Sequence, residues 1–133
     1  MRVGENTDKN VQILSGGFIG SEPVPITRAL SIRQPFAEQI LCGKKKYEYR
    51  SIPTNIRERV YVYASKRPGP EPRWKESGYE PGSLPTGALV GSVEIVGCKR
   101  NSGGYAWKLT RPKRAKQLRK PKNQPQPVWF RPF

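Results

Sequence analysis

The sequence predicts an α+β fold, a small mixed β-barrel of five or six short strands with a short helix after its first core strand. The first reason is composition. The 133 residues include 13 glycines and 14 prolines and are only 35% hydrophobic, which favours a turn-rich sheet over a helical bundle. The second reason is that several short stretches alternate in polarity, while one stretch has helical spacing. A chain of this length has room for one such core.

The first core strand is predicted at 29–32, and a short helix follows it. Pro35 suits the first turn of that helix, where its missing N–H costs nothing. Apolar residues then recur at helical spacing, at Phe36, Ala37, Ile40 and Leu41. Gly43 stands where a left-handed C-cap would end the helix. We therefore expect a strand, a helix and a tight turn in succession.

The segment after Gly43 is predicted as a strand with a charged face. Residues 46–50 alternate, so that Tyr47 and Tyr49 point to one side of the strand. The other side carries Lys46, Glu48 and Arg50. Two central strands are expected at 60–64 and 88–96, and shorter strands at 105–109 and within 127–130.

The remaining segments predict how the chain is organised. Residues 1–25 show no sustained period and are predicted as a flexible leader, which leaves 26–133 as the domain. Residues 65–87 are rich in proline and glycine and too long for an ordinary turn, so they form either a functional loop or a disordered segment. A basic linker is predicted at 111–122.

The charge of the chain points to a polyanionic partner. Lys and Arg outnumber Asp and Glu by 25 to 10, for a formal net charge of +15. No acidic residue follows Glu94, whereas eleven Lys or Arg lie between Lys99 and Arg131. Such a footprint is typical of nucleic-acid binding, because a polyanion relieves the repulsion among the cations. The alternative is a solvated basic surface that keeps the protein soluble.

Several classes of site and location are excluded by what the sequence lacks. It contains no histidine, so a Ser-His-Asp triad and a His-based ribonuclease are ruled out. Cys42 and Cys98 have no CxxC spacing, and the only aspartate is Asp8, so we predict neither a metal site nor a cofactor. No run approaches the roughly 18 apolar residues of a membrane span, and no signal peptide is visible. We expect a cytoplasmic monomer without membrane contact.

The segment Gly43 to Arg50 resembles the ASCH family pattern GxKxxExR, which it matches at Gly43, Lys45, Glu48 and Arg50. Upstream, 30–37 is similar to the family's opening strand and helix, and 60–66 and 87–98 resemble its core strands. The closing 125–130 resembles the tail of a bacterial branch of the family. The resemblance covers 26–133.

This resemblance implies a PUA-like barrel with a cleft beside the helix, where the charged motif meets RNA or a nucleotide-like ligand. Members of the family are RNA-binding modules, coactivator domains, ribonucleases or amidohydrolases acting on acetylated cytidine. In the amidohydrolase branch a Thr stands at the position of Glu48, and a separate helix supplies a Glu that has no identifiable match in this chain. We therefore favour a binding module, with an RNA-directed hydrolase as the alternative.

The candidate nucleic-acid-binding residues are Gln34, Lys45, Glu48, Arg50, Lys66, Tyr105 and Trp107. If the protein is an enzyme, Lys45 and Glu48 are the candidate catalytic residues. An amine flanked by Lys44 and Lys46 has its charged form disfavoured, which makes it more nucleophilic. Glu48 can accept from a base amino group, and Arg50 can clamp a phosphate.

Each candidate also has an interpretation that serves the fold alone. Lys45 fits a solvated basic turn, and Glu48 with Arg50 fits a structural ion pair. Tyr105 and Trp107 supply rings on which RNA bases would stack, yet the scarcity of large aliphatic residues predicts that at least one Trp packs in the core. Gln34 and Lys66 are assigned only by their neighbourhood in the family.

Overall fold

The computed structural model describes residues 17–19 and 22–133. In chain order the elements are β1 Gly17–Ile19, β2 Glu22–Val24, β3 Ala29–Ile32, α1 Phe36–Leu41, β4 Tyr47–Arg50, β5 Arg59–Ala64, α2 Glu71–Ser77, β6 Ala88–Asn101, β7 Gly104–Arg119 and β8 Trp129–Phe130. The predicted α+β class is confirmed. Neither helix of the described chain has the length and apolar character needed to cross a membrane.

Six strands form one mixed sheet in the order β4, β7, β6, β5, β3, β8. Strands β3 and β5 run parallel, and the other neighbours pair antiparallel. Within the described residues no pairing joins β4 to β8, so the sheet is open, with these two strands at its edges. The predicted closure into a barrel is not confirmed. Among the described residues, strands β1 and β2 pair only with each other, and the rest of the predicted leader lies outside that part of the chain.

The main core lies where α1 covers the central strands of the sheet. Along β5, Val60, Val62 and Ala64 are completely buried against this helix side, as the alternation of the strand predicts. The opposite face of β5 is also covered, because Tyr63 packs with three residues of other strands: Ala29, Leu89 and Phe130. Both faces of the sheet are therefore covered by packed side chains at its centre.

Helix α1 ends as the sequence predicts. The amide of Cys42 donates to the carbonyl oxygen of Glu38 at 3.0 Å, and the amide of Gly43 donates to that of Ile40 at 3.1 Å. Gly43 has a φ of +87°, the left-handed conformation that glycine adopts at little cost. This turn sends the chain directly into the motif and β4.

The predicted loop 65–87 contains a second helix, α2. Pro70 precedes its first turn, and Gly78, with a φ of +83°, ends it. Trp74 is only 3% exposed, which fixes the helix to the body of the protein. The many prolines and glycines of this segment therefore delimit a short helix rather than an irregular loop.

Most of the predicted linker 111–122 is strand, because β7 continues to Arg119. Its second half pairs with the start of β6, where Gly91 is opposite Arg114. A side chain at Gly91 would overlap the carbonyl oxygen of Lys113, so glycine is what permits this close approach. Beyond Leu109 no strand of the described chain covers the other side of β7, which suits Pro112 because its lack of an N–H is harmless at an edge.

Candidate functional site

Strand β4 carries the motif at one edge of the sheet. It pairs with β7 so that Glu48 lies opposite Trp107 and Arg50 opposite Tyr105. The pleat points Glu48 inward, where it is 8% exposed, and points Tyr49 outward, where it is 59% exposed. The edge strand therefore presents charge on one face and an open aromatic ring on the other.

The structure brings Lys45, Glu48 and Arg50 together, and we call these three residues the motif cluster. Arg50 Nε donates to Glu48 Oε2 at 2.8 Å. Lys45 Nζ lies 3.6 Å from Glu48 Oε1, at the length of an ion pair. One carboxylate thus balances two cations, with each of its oxygens turned toward one of them.

Arg50 is fixed by two further contacts. Its Nη2 donates to the backbone carbonyl oxygen of Ser31 in β3 at 2.7 Å. Its guanidinium carbon lies 5.7 Å from the centroid of the Trp107 ring, within cation–π range. A guanidinium held on three sides in this way acts as a rigid support for the Glu48 carboxylate.

Lys45 is partly buried between two aromatic rings. Its Nζ lies 4.8 Å from the ring centroid of Tyr49 and 5.6 Å from that of Phe36. Burial lowers the pKa of Lys45, and the charges of Arg50 and Arg73 lower it further, while Glu48 raises it. The net effect is a lysine that gives up its proton more readily than an exposed one.

Gln34 lies beneath the site as a structural link. It is 1% exposed, and its Nε2 donates to the carbonyl oxygen of Pro85 at 2.9 Å. Its Oε1 accepts from the amide of Glu38 in α1 at 3.0 Å. The side chain therefore joins the start of α1 to the end of the α2 segment, and its polar atoms face protein groups.

The two aromatic candidates on β7 differ in exposure. Trp107 is fully buried, stacks on Trp129 with centroids 5.7 Å apart, and donates from Nε1 to the carbonyl oxygen of Ile52 at 3.0 Å. It offers no ring face to RNA, so the structure does not support the predicted stacking role. It fits instead the expectation that one Trp belongs to the core. Tyr105 is half-buried, and its hydroxyl lies 3.4 Å from Arg100 Nη2.

Lys66 is exposed and lies apart from the contacts of the motif cluster. It lines a cavity of about 370 Å³ beside α2, which we call the α2 cavity, together with Gly69, Glu71 and Trp74. None of the three motif residues lines this cavity. The structure therefore separates the sequence-predicted site into the motif cluster at the sheet edge and Lys66 beside α2.

Tyr49 and Arg73 were missed as site residues by the sequence analysis. The alternation of 46–50 placed Tyr49 beside Tyr47 on one side of the strand, and the structure leaves the Tyr49 ring 59% exposed with Lys45 Nζ 4.8 Å from its centroid. Arg73 acts on Lys45 from α2, across a sequence separation that no local pattern reveals.

The basic residues on the second half of β7 form the other charged surface, which we call the β7 cations: Arg111, Lys113, Arg114, Lys116 and Arg119. All five are exposed. Arg111 Nε pairs with Glu94 at 2.7 Å. Arg114 donates to both oxygens of Glu38 at 2.7 and 2.9 Å, which lowers the pKa of that carboxyl group. Among the described residues, Glu94 and Glu38 therefore pair with Arg111 and Arg114.

Comparison with known proteins places this arrangement in a family. A search of curated proteins finds no relative that matches the chain. The family model of the ASCH domain matches residues 30–122, which is more than half of the chain and includes the whole motif cluster. ASCH domains are PUA-like and are associated with RNA binding. With the matched range spanning the core sheet from β3 to β7, the chain belongs to the ASCH domain family.

Proposed function

We propose that this protein binds single-stranded RNA and holds one nucleotide at the motif cluster. The observation that carries the proposal is the combination of a fixed carboxylate, a partly buried ammonium and an exposed ring. Tyr49 is 59% exposed and lies 4.8 Å from Lys45 Nζ, which in turn pairs with Glu48. A ring for stacking, a cation for phosphate and an acceptor for a base amino group are the three contacts that one nucleotide needs.

The Glu48 carboxylate keeps capacity for a ligand. It has about four lone-pair positions, and the described residues use one on each oxygen. Since Arg50 fixes its orientation, the remaining positions are held toward a base rather than free to rotate. Binding selectivity for an amino-bearing base follows from this geometry.

The β7 cations supply the sequence-independent part of the affinity. Phosphate contacts release counterions, so affinity falls linearly with the logarithm of salt concentration. The formal net charge of +15 makes such contacts the dominant long-range attraction. The test is to measure RNA affinity across a salt series, where we expect a steep decline and where a flat response contradicts the proposal.

Two substitutions connect that affinity to the motif cluster. Tyr49→Ala and Lys45→Gln are each expected to weaken RNA binding at every salt concentration. Lys75→Gln removes an exposed lysine of α2 and is the control for loss of charge. If both motif variants bind like the control variant, the motif cluster is not the nucleotide site.

An RNA-directed hydrolase, a ribonuclease or an N4-acetylcytidine amidohydrolase, is the second candidate, and the lowered pKa of Lys45 favours it. Burial disfavours the charged amine, so a larger neutral fraction is available to activate water or a leaving group. In this alternative Glu48, in contact with Lys45, moves the proton. Incubation with labelled RNA and with acetylated cytidine tests it, and turnover that is equal in a Lys45→Ala variant removes Lys45 from any mechanism.

A further inference from the structure

A second cavity, which we call the lysine cavity, shares Lys66 as a lining residue with the α2 cavity. It has a volume of about 230 Å³ and is lined by three lysines, Lys66, Lys120 and Lys122, together with polar groups of Asn123 and Gln124. No acidic residue of 24–133 lines it. Within the described chain none of the three lysines forms an ion pair. Three ammonium groups around one cavity repel each other until an anion enters.

The wall formed by Lys66 is held in place by Gly87. A side chain at Gly87 would come within 3.2 Å of Cγ and 3.3 Å of Cε of Lys66, so the lysine methylenes lie across the bare backbone. Gly87 also has a φ of +71°, which favours glycine at this position. The stem of Lys66 is therefore positioned although its ammonium group is in solvent.

The opposite wall is tied to the C-terminal segment. The amides of Lys122 and Asn123 both donate to the carbonyl oxygen of Pro132, at 2.8 and 3.0 Å. Asn123 Nδ2 donates to the carbonyl oxygen of Arg131 at 2.8 Å. Just before this wall, the guanidinium of Arg119 lies 4.4 Å from the ring centroid of Phe133. The lysines thus project from a fixed backbone, which reduces the entropy lost when they bind an anion.

A series of shared contacts connects this cavity to the motif cluster. Lys45 lies over the ring of Phe36, and Gly69 packs closely against the same ring. Gly69 and Lys66 line the α2 cavity, and Lys66 lines the lysine cavity as well. Glu71, which lines the α2 cavity, is the one carboxylate that the described residues contribute to the lining of either cavity. An RNA strand that extends from Lys45 therefore meets a second cation at Lys66, which has no carboxylate partner within the described chain.

We infer that the cavity between Lys66, Lys120 and Lys122 is a second phosphate-binding site, which holds a backbone phosphate of the RNA whose nucleotide occupies the motif cluster. This inference rests on the proposed function, since it assigns the path of the same RNA. The site recognises a phosphodiester through charge and lysine donors and reads no base.

The test compares two RNAs and two double variants. The cavity variant is Lys66→Gln with Lys122→Gln, and the control variant is Arg57→Gln with Lys75→Gln, which changes the charge equally at exposed positions outside both cavities. One RNA has about 4 nucleotides and fits the motif cluster, and the other has about 16 and extends beyond it. Affinity is measured for each pair over a salt series, and the melting of each variant confirms that it is folded.

For the longer RNA we expect the cavity variant to bind several-fold more weakly than the control variant. Its salt slope should be smaller by about 0.7, since the cavity holds one phosphate and each lost phosphate contact of a single strand accounts for roughly that amount. For the shorter RNA the two variants should bind alike. If the two variants behave alike with the longer RNA, the second site is wrong.

Failure of this inference is distinct from failure of the proposed function. If Tyr49→Ala and Lys45→Gln weaken both RNAs while the cavity variant matches its control, the motif site stands and the second site falls. If neither motif variant weakens either RNA, the proposed function itself falls. A cavity that responds to inorganic phosphate, while the cavity and control variants bind the longer RNA equally, takes a small anion, which overturns the assignment to RNA.

Discussion

The motif cluster and the β7 cations are both rich in positive charge, yet they differ in their surroundings. The side chains of Lys45 and Arg50 are each 18% exposed, share one carboxylate and lie over aromatic rings. On β7, Arg111 is 68% exposed and Arg114 is 54% exposed, and each pairs with its acid at the surface. The side chains of the motif cluster are held in place by neighbouring residues, whereas those of the β7 cations are surrounded mainly by solvent.

In the proposed binding of RNA, this difference separates two tasks. Burying a charge costs free energy unless an opposite charge and hydrogen bonds pair with it. The motif cluster therefore has one defined arrangement, which in our proposal holds a single nucleotide. Exposed cations attract any phosphate chain and hold no base in register. Selectivity is therefore assigned to the motif cluster and affinity to the β7 cations, a division that substitutions in each region can break or sharpen.

The largest expected effect is on stability when the shared carboxylate is removed. Glu48→Ala leaves two partly buried cations facing each other, which should lower the free energy of unfolding by about 3 kcal/mol. Glu94→Ala removes the surface partner of Arg111 and should cost less than about 1 kcal/mol. Urea denaturation measures both. Equal losses would mean that the two regions do not differ in the way described.

The next effect is on RNA binding without a matching loss of stability. Tyr49→Ala should weaken binding of single-stranded RNA by about 1–3 kcal/mol, the contribution of stacking one base. The unfolding free energy should hardly change because Tyr49 is 59% exposed. Tyr49→Phe keeps the ring and should retain the affinity. A Phe variant as weak as the Ala variant would show that the hydroxyl, and not stacking, is what matters.

A smaller effect on the free energy of unfolding is expected when an arginine is replaced by lysine, which keeps the charge but changes the shape of the side chain. Arg50→Lys loses the fork that contacts both Glu48 and the carbonyl oxygen of Ser31, at a cost of about 1 kcal/mol in unfolding free energy. Arg111→Lys, at the exposed pair, should stay within about 0.5 kcal/mol of the native protein. Denaturation curves under identical conditions compare them, and a larger loss at Arg111 would reverse the assignment.

The smallest effect concerns acid stability at the surface pair of Glu38 and Arg114. Hydrogen bonds from Arg114 lower the pKa of Glu38 in the folded protein below its unfolded value. The stabilisation is therefore present above the unfolded pKa and is lost as pH falls through the folded pKa. Glu38→Gln should flatten this part of the pH–stability profile by less than about 1 kcal/mol. An unchanged slope would show that the pair contributes nothing.

The parts of the fold that sequence patterns predicted are those set by neighbouring residues. Local spacing determines β3, α1, the left-handed turn at Gly43 and the alternation through Arg50. The structure has each of them at the predicted position. The gathering of Lys45 with Glu48 follows from the same short segment. Local sequence patterns therefore predicted the position of the motif cluster.

What the sequence analysis missed depends on distant partners. The strand at 111–119 is exposed and edge-paired, so it shows no apolar alternation, and only the bare Gly91 opposite it permits the pairing. The burial of Trp107 depends on Trp129, and the lysine cavity joins Lys66 to Lys120 across more than fifty positions. Whether the sheet closes into a barrel likewise depends on strands at its two ends.

The division between the two regions is tested most directly by titrating the native protein with a short single-stranded RNA while backbone amide resonances are followed by NMR. The account predicts the largest shifts at 45–50, with smaller, salt-sensitive shifts along 111–119. Shifts confined to 111–119 that vanish as salt rises, with 45–50 unchanged, would contradict it, because the RNA would then be held by exposed charge alone.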